Sequence, residues 1–181
     1  MFNSPDIQTL KSSLDGCIQS ALLHRPNTHA AIKIQSLLDL TVYIMATRFL
    51  EGSVKHIVYN CAVMRGDDED ALDELYTRLK SFNNPEFSNI KELFECELDF
   101  DILQGRGTSY TNRDVSYLNE ICKNRHRNVH ATPDPREWYN TNTKSITDFD
   151  REKEGLFNIV KYIDGLVFNA DTSVYEYREA V

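Results

Sequence analysis

Arg125, His126 and His130 fall within the six-residue run Arg125-His126-Arg127-Asn128-Val129-His130. A guanidinium holds and neutralises a phosphate. An imidazole, with an unperturbed pKa of about 6.5, moves protons near neutral pH. An arginine followed five positions later by a histidine can therefore serve chemistry on a phosphodiester. The run has a second chemical reading, because His126 and His130 are spaced i, i+4, as paired zinc ligands on a helix are. Arg127 stands where a metalloprotease helix carries glutamate, and no third ligand is evident. Metal ligation is the weaker account, and no cofactor is expected.

The element that must position these groups is an amphipathic helix. It begins around Thr111, where Thr111 and Asp114 are spaced as in a capping box, and must end before Pro133. At about 100° per residue, Val115, Leu118, Ile121, Cys122 and Val129 form one apolar stripe. Arg125 falls near the middle of that stripe, Arg127 on the opposite, solvent side, and His126 and His130 along one edge. Lys123 and Arg127 have an ordinary structural account, as cations in the last turns of a helix. Arg125 does not, since a guanidinium in an apolar seam is costly unless paired or facing an occupied cleft. Its structural alternative is an ion pair with a core carboxylate, for which Glu51, after Phe49-Leu50, is the candidate. Arg125 and His130 are offset by about 7.5 Å along the helix axis, so their side chains could converge on one phosphate. Two copies of the helix meeting across a dimer would build a denser site.

The rest of the chain offers little competing chemistry. There is no GxSxG motif, and no cysteine sits in a recognisable catalytic context. Gly105-Arg106-Gly107 is too short for a phosphate-cradling loop and is expected to be a flexible turn. Trp138 and Tyr139 are expected to cover the core rather than stack on a base.

Helical periodicity dominates and strand alternation is absent, which predicts an all-α chain. The first helix should start at Ser4-Pro5 and run to about Leu23. A stretch from about Thr28 to Arg65 is apolar nearly all round between Leu37 and Ala46, and should be central and buried. As one straight helix it would span about 57 Å, so a bend or break is expected near Gly52-Ser53. Gly66 reads as a C-terminal cap, and the acidic run Asp67-Asp68-Glu69-Asp70 as the start of a third helix ending near Phe82. A fourth should cover Ser88 to Leu103. The last should start near Ser145, with a stripe of Phe149, Leu156, Val160, Ile163 and Val167.

At 181 residues the chain is expected to form a single domain, 1–181. The net charge of −8 argues against broad, non-specific nucleic-acid binding, which needs a basic surface. It leaves room for a small basic site, since Ile121 to Trp138 carries four Lys/Arg and two His against two acidic residues. No apolar run approaches the roughly 20 residues of a membrane helix. The N-terminus lacks the basic and apolar regions of a secretory signal. Cys17, Cys61, Cys96 and Cys122 form no CxxC pair and read as reduced, mostly buried thiols of a cytoplasmic protein.

Arg125-x4-His130, on the penultimate long helix of an all-α chain, resembles the Arg-x4–6-His signature of HEPN domains (higher eukaryotes and prokaryotes nucleotide-binding). His126 matches the polar residue that often follows the arginine. The apolar central helix with Arg48-Phe49-Leu50-Glu51-Gly52-Ser53 resembles the bacterial HEPN proteins called RiboL-PSP-like, and the resemblance covers most of Gln35 to Phe168. Ala131 stands where many members have glycine. Thr132 stands two residues after the histidine, where members modified by a partner nucleotidyltransferase have tyrosine.

The resemblance implies an antiparallel helical bundle with additional helices, assembled as a homodimer. The two motifs would face each other and cleave RNA without a metal. Its members serve as toxins or as effectors of phage defence, so an antitoxin or defence-system partner protein is implied. By position, Arg125, His130 and His126 become the catalytic residues. Arg127, Lys123 and Glu51 become candidates for substrate binding, Glu51 by a weaker match. The alternative is a catalytically inactive helical dimer that binds a nucleotide or a protein partner.

Overall fold

Ser4-Pro5 starts the first helix, α1 (Pro5–Leu23), with proline at its first turn, where no N–H is needed. Ile7, Leu14, Ile18 and Ala21 form its buried stripe. The next helix is α2 (His29–Arg65), whose N-cap Thr28 accepts a hydrogen bond from Ala31 N. In this computed structural model, which describes residues 2–24, 27–129 and 145–178 (without the side chains of Ala30, Lys33 and residues 126–129), the two helices run antiparallel. Ser4 Oγ meets His56 Nε2 at 2.8 Å at one end of the pair. Gln35 Nε2 reaches Ala21 O at the other.

The expected bend or break near Gly52-Ser53 is a correction: α2 continues as one helix of 37 residues, about 55 Å long. Gly52 has a packing role. A β-carbon there would stand 3.1 Å from Leu10 Cδ1 of α1, so the missing side chain lets the two helices approach. Burial is also displaced from the expected stretch. It runs from Val42 through Ala62, while Ile32, Ile34 and Leu37 are exposed, because the N-terminal third of α2 extends past the core. Gly66 closes the helix in the left-handed region, with φ of 87°.

Asp68 caps α3 (Glu69–Ser81), its side chain accepting from Ala71 N. Next comes α4 (Phe87–Leu98), which stops at Asp99 in the left-handed region, earlier than the expected Leu103. A short 3-10 turn, η1 (Ile102–Gly105), follows. Then come α5 (Asn112–Val129), α6 (Ile146–Glu152) and α7 (Glu154–Asp164). The single last helix expected from Ser145 is therefore two helices, meeting at Lys153. The chain also contains a β-hairpin, correcting the expectation of no strands: β1 (Leu166–Asn169) pairs antiparallel with β2 (Val174–Tyr177), Leu166 opposite Tyr177. Tyr175 Oη donates to Cys61 O at 2.8 Å, which seats the hairpin on the C-terminal part of α2.

The described residues form a mostly helical fold around one apolar cluster to which α1 through α7 and the hairpin all contribute. Within it Phe157 meets Phe2 and Phe49 edge-on, with Phe49 and Phe157 centroids 5.5 Å apart. Such aromatic pairs add about 0.5–1.5 kcal/mol beyond their buried area. The four cysteines are free thiols: Cys61 and Cys122 buried, Cys17 half-buried, Cys96 exposed.

At the α2–α3 corner, Arg65 donates to both carboxylate oxygens of Asp67 and to Glu97 O. The hydrogen bond from Arg65 holds the Asp67 carboxyl below its ordinary range. A pKa depressed below the unfolded value of about 3.9 gives stability that is present above that value and lost as pH falls through the folded pKa. The difference in urea stability between wild type and Asp67→Asn should thus be largest at neutral pH and shrink in acid. A pH-independent difference would rule out this linkage.

Candidate functional site

The helix carrying the motif starts as the sequence indicates. Thr111 N donates to Asp114 Oδ2 at 2.8 Å, and Asp114 N returns a bond to Thr111 Oγ1 at 3.3 Å. Tyr117, Leu118, Ile121 and Cys122 then turn into the core. Asn119 sits beside this stripe and accepts a hydrogen bond from Phe87 N at 2.9 Å. It thereby satisfies an orphan N–H at the start of α4 and fixes the end of the α3–α4 connection against the middle of α5.

That connection decides what Arg125 does. The helical phase places Arg125 mid-stripe, but the buried position at this level is Asn124, 6% exposed; Arg125 is half-buried. Its neighbour is a loop rather than an apolar helix face, and Arg125 NH1 donates to Asn83 O at 3.4 Å. Asn124, which sequence reasoning passed over, donates from Nδ2 to Glu120 O one turn back. The available signal was its spacing of three from Ile121, which puts it on the same face.

The structural alternative for Arg125 is also corrected. Glu51, half-buried on α2, accepts from Lys55 Nζ at 2.7 Å and does not pair with Arg125. A glutamate four residues before a lysine on one helix finds its partner locally. Among the described residues no carboxylate forms an ion pair with Arg125. Its charge is felt by Cys122, whose thiol is pushed up to about 12 by burial, with Glu86 adding to the rise and Arg125 opposing it. That thiol stays protonated near neutral pH and is no nucleophile.

Beside Asn83 lies an open hollow of about 340 Å³ lined by Phe82, Asn83, Asn84, Asn89, Glu92 and Cys96, among others. Asn89 Nδ2 donates to Asn84 O. The side-chain amides of Asn83 and Asn84 have no hydrogen-bond partner among the described residues. The carbonyl that receives Arg125 is thus part of an amide-rich surface.

Lys123 is exposed on α5. The backbone of residues 126–129 continues the helix, which places His126 and Arg127 on the same element as Arg125; their side chains lie outside the described residues. His130, Trp138 and Tyr139 lie outside them altogether, so the proposed convergence of Arg125 and His130 rests on sequence. Among the described residues no group of three His, Cys, Asp or Glu is placed to hold a metal ion, and no helix is long and apolar enough to cross a membrane. No family model, curated protein or solved structure matches the chain.

Proposed function

We propose that this chain is a metal-independent endoribonuclease of the HEPN type, acting as a homodimer in a toxin–antitoxin or phage-defence system. The observation that carries the proposal is Arg125: a half-buried guanidinium near the C-terminal end of α5, bound to a backbone carbonyl and in no ion pair with a carboxylate among the described residues. A cation held in place but not neutralised is suited to a phosphodiester. The Asn83–Asn84 surface beside it offers amides of the kind that hydrogen-bond the edges of unpaired bases.

In this reaction the ribose 2′-oxygen attacks phosphorus while its proton passes to a base. The P–O5′ bond breaks, and the leaving oxygen takes up a proton. The products are a 2′,3′-cyclic phosphate and a 5′-hydroxyl. His130 is assigned one proton transfer. Arg125 stabilises the extra charge of the phosphorane-like transition state, and His126 positions the phosphate or carries the second proton. DNA, without the 2′-hydroxyl, is left intact.

The test is cleavage of single-stranded RNA in EDTA, by wild type and by His130→Ala. Loss of cleavage in the variant is the expected result; equal cutting by both would sink the assignment of His130. Sedimentation should give twice the monomer mass, and a strict monomer would remove the shared site.

A further inference from the structure

η1 and the turn after it, α7 and the end of the hairpin together border a cavity of about 530 Å³. That is within the range of small-molecule sites, roughly 300–1,000 Å³. No described residue of α5 lines it, whereas Ser109, three residues before that helix starts, does. Arg125 lies thirteen residues beyond the start of that helix, about 20 Å by its rise. The cavity is therefore a separate site, independent of the nuclease reading.

Three features of its lining point to one class of ligand. The first is charge. The chain has 28 acidic residues against 20 basic ones, yet among the described residues no acidic one lines the cavity and Lys161 does. Lys161 Nζ is 3.6 Å from Glu154, an exposed partner two turns back on the same face of α7. Exposed pairs of this kind are weak, so a phosphate can take the ammonium over.

The second feature is unused hydrogen-bonding capacity. The Gln104 and Asn158 amides and the Ser109 and Tyr177 hydroxyls border the cavity. None of the four has a hydrogen-bond partner among the described residues. Several polar groups of different type converging on one hollow are what orient a ligand. The third feature is an aromatic edge: the Tyr177 ring, 40% exposed, is backed by Tyr162 at a centroid distance of 5.0 Å. It is held in place with surface to spare for a planar ring.

We propose that this cavity binds a nucleoside monophosphate, with its phosphate on Lys161 and the Ser109 hydroxyl, its sugar and base edges on the Asn158 and Gln104 amides, and its base against Tyr177. The test is titration of the isotopically labelled full chain with AMP, GMP, CMP and UMP, followed by the amide signals of Gln104, Ser109 and Asn158. Inorganic phosphate and the unphosphorylated nucleosides serve as separate arms. At least one of the monophosphates should shift those signals saturably. Its nucleoside and phosphate alone should each bind at least tenfold more weakly. Lys161→Met and Tyr177→Ala should each weaken binding by about tenfold or more. Glu154→Gln removes the carboxylate that competes for Lys161 and should tighten binding, which keeps a test in hand if Lys161→Met fails to fold.

The proposal is overturned if no monophosphate shifts these signals, or if Lys161→Met binds as wild type does. It is equally overturned if Glu154→Gln leaves affinity unchanged, or if phosphate alone binds as tightly as the nucleotide. None of these readouts uses RNA cleavage, so they stand apart from the fate of the nuclease reading.

Discussion

Arg125→Ala is expected to lose RNA cleavage by about 10²–10³-fold, the usual effect of removing one transition-state donor, while unfolding in urea near the wild-type midpoint. The second half of this expectation is what discriminates. Breaking a buried ion pair costs about 3–5 kcal/mol, because one charge is left uncompensated. Arg125 is in no such pair among the described residues. Its hydrogen bond to Asn83 O is long, at 3.4 Å, and partly in water, and a bond of that kind contributes about 1 kcal/mol or less. A folded and inactive variant is therefore the signature of a guanidinium kept for a ligand. Arg125→Lys should be nearly as inactive, because a point charge does not replace the planar fork. A midpoint shift worth about 3 kcal/mol or more, with no cleavage by wild type to lose, would instead make Arg125 a structural residue.

The parts of this fold that were legible in the sequence are those settled within a few residues. The Thr111–Asp114 box, the acidic start of α3, the Gly66 stop and the limits of α1 are local chemistry, and each is where the sequence indicates. What failed to show depended on partners distant in sequence. Gly52 reads as a breaker because glycine is a poor helix former; Leu10 of α1, more than forty residues away, gives it a different use. Val167 continues the spacing of Val160 and Ile163, so a strand only four residues long was absorbed into a helical stripe.

For the site, the sequence correctly places Arg125 on a long amphipathic helix with a capped start. It could not supply the partner, because that partner is a backbone carbonyl in a loop, and carbonyls leave no trace in side-chain patterns. The pairing of Glu51 with Lys55 was readable as an i, i+4 spacing. It was passed over in favour of a distant partner for Arg125.

The two glycines of the Gly105-Arg106-Gly107 turn are expected to respond very differently to alanine. At Gly105, a β-carbon would stand 2.5–2.7 Å from three ring atoms of Tyr162. The ring has little room to retreat, since Tyr110 and Tyr177 flank it at 5.6 and 5.0 Å. The loop is fixed as well, because Gly105 O accepts from the backbone N–H groups of Thr108, Ser109 and Tyr110. Overpacking ordinarily costs about 1–3 kcal/mol, and with both sides restrained Gly105→Ala should reach or exceed the upper end. At Gly107 nothing among the described residues lies within 4 Å of the added carbon, but φ is +87°, so Gly107→Ala should cost about 1–2 kcal/mol of backbone strain. Urea unfolding of the two single variants measures both. Equal and small losses would mean that this turn is the flexible connection its composition suggests, and that the contact between Gly105 and Tyr162 does not constrain it.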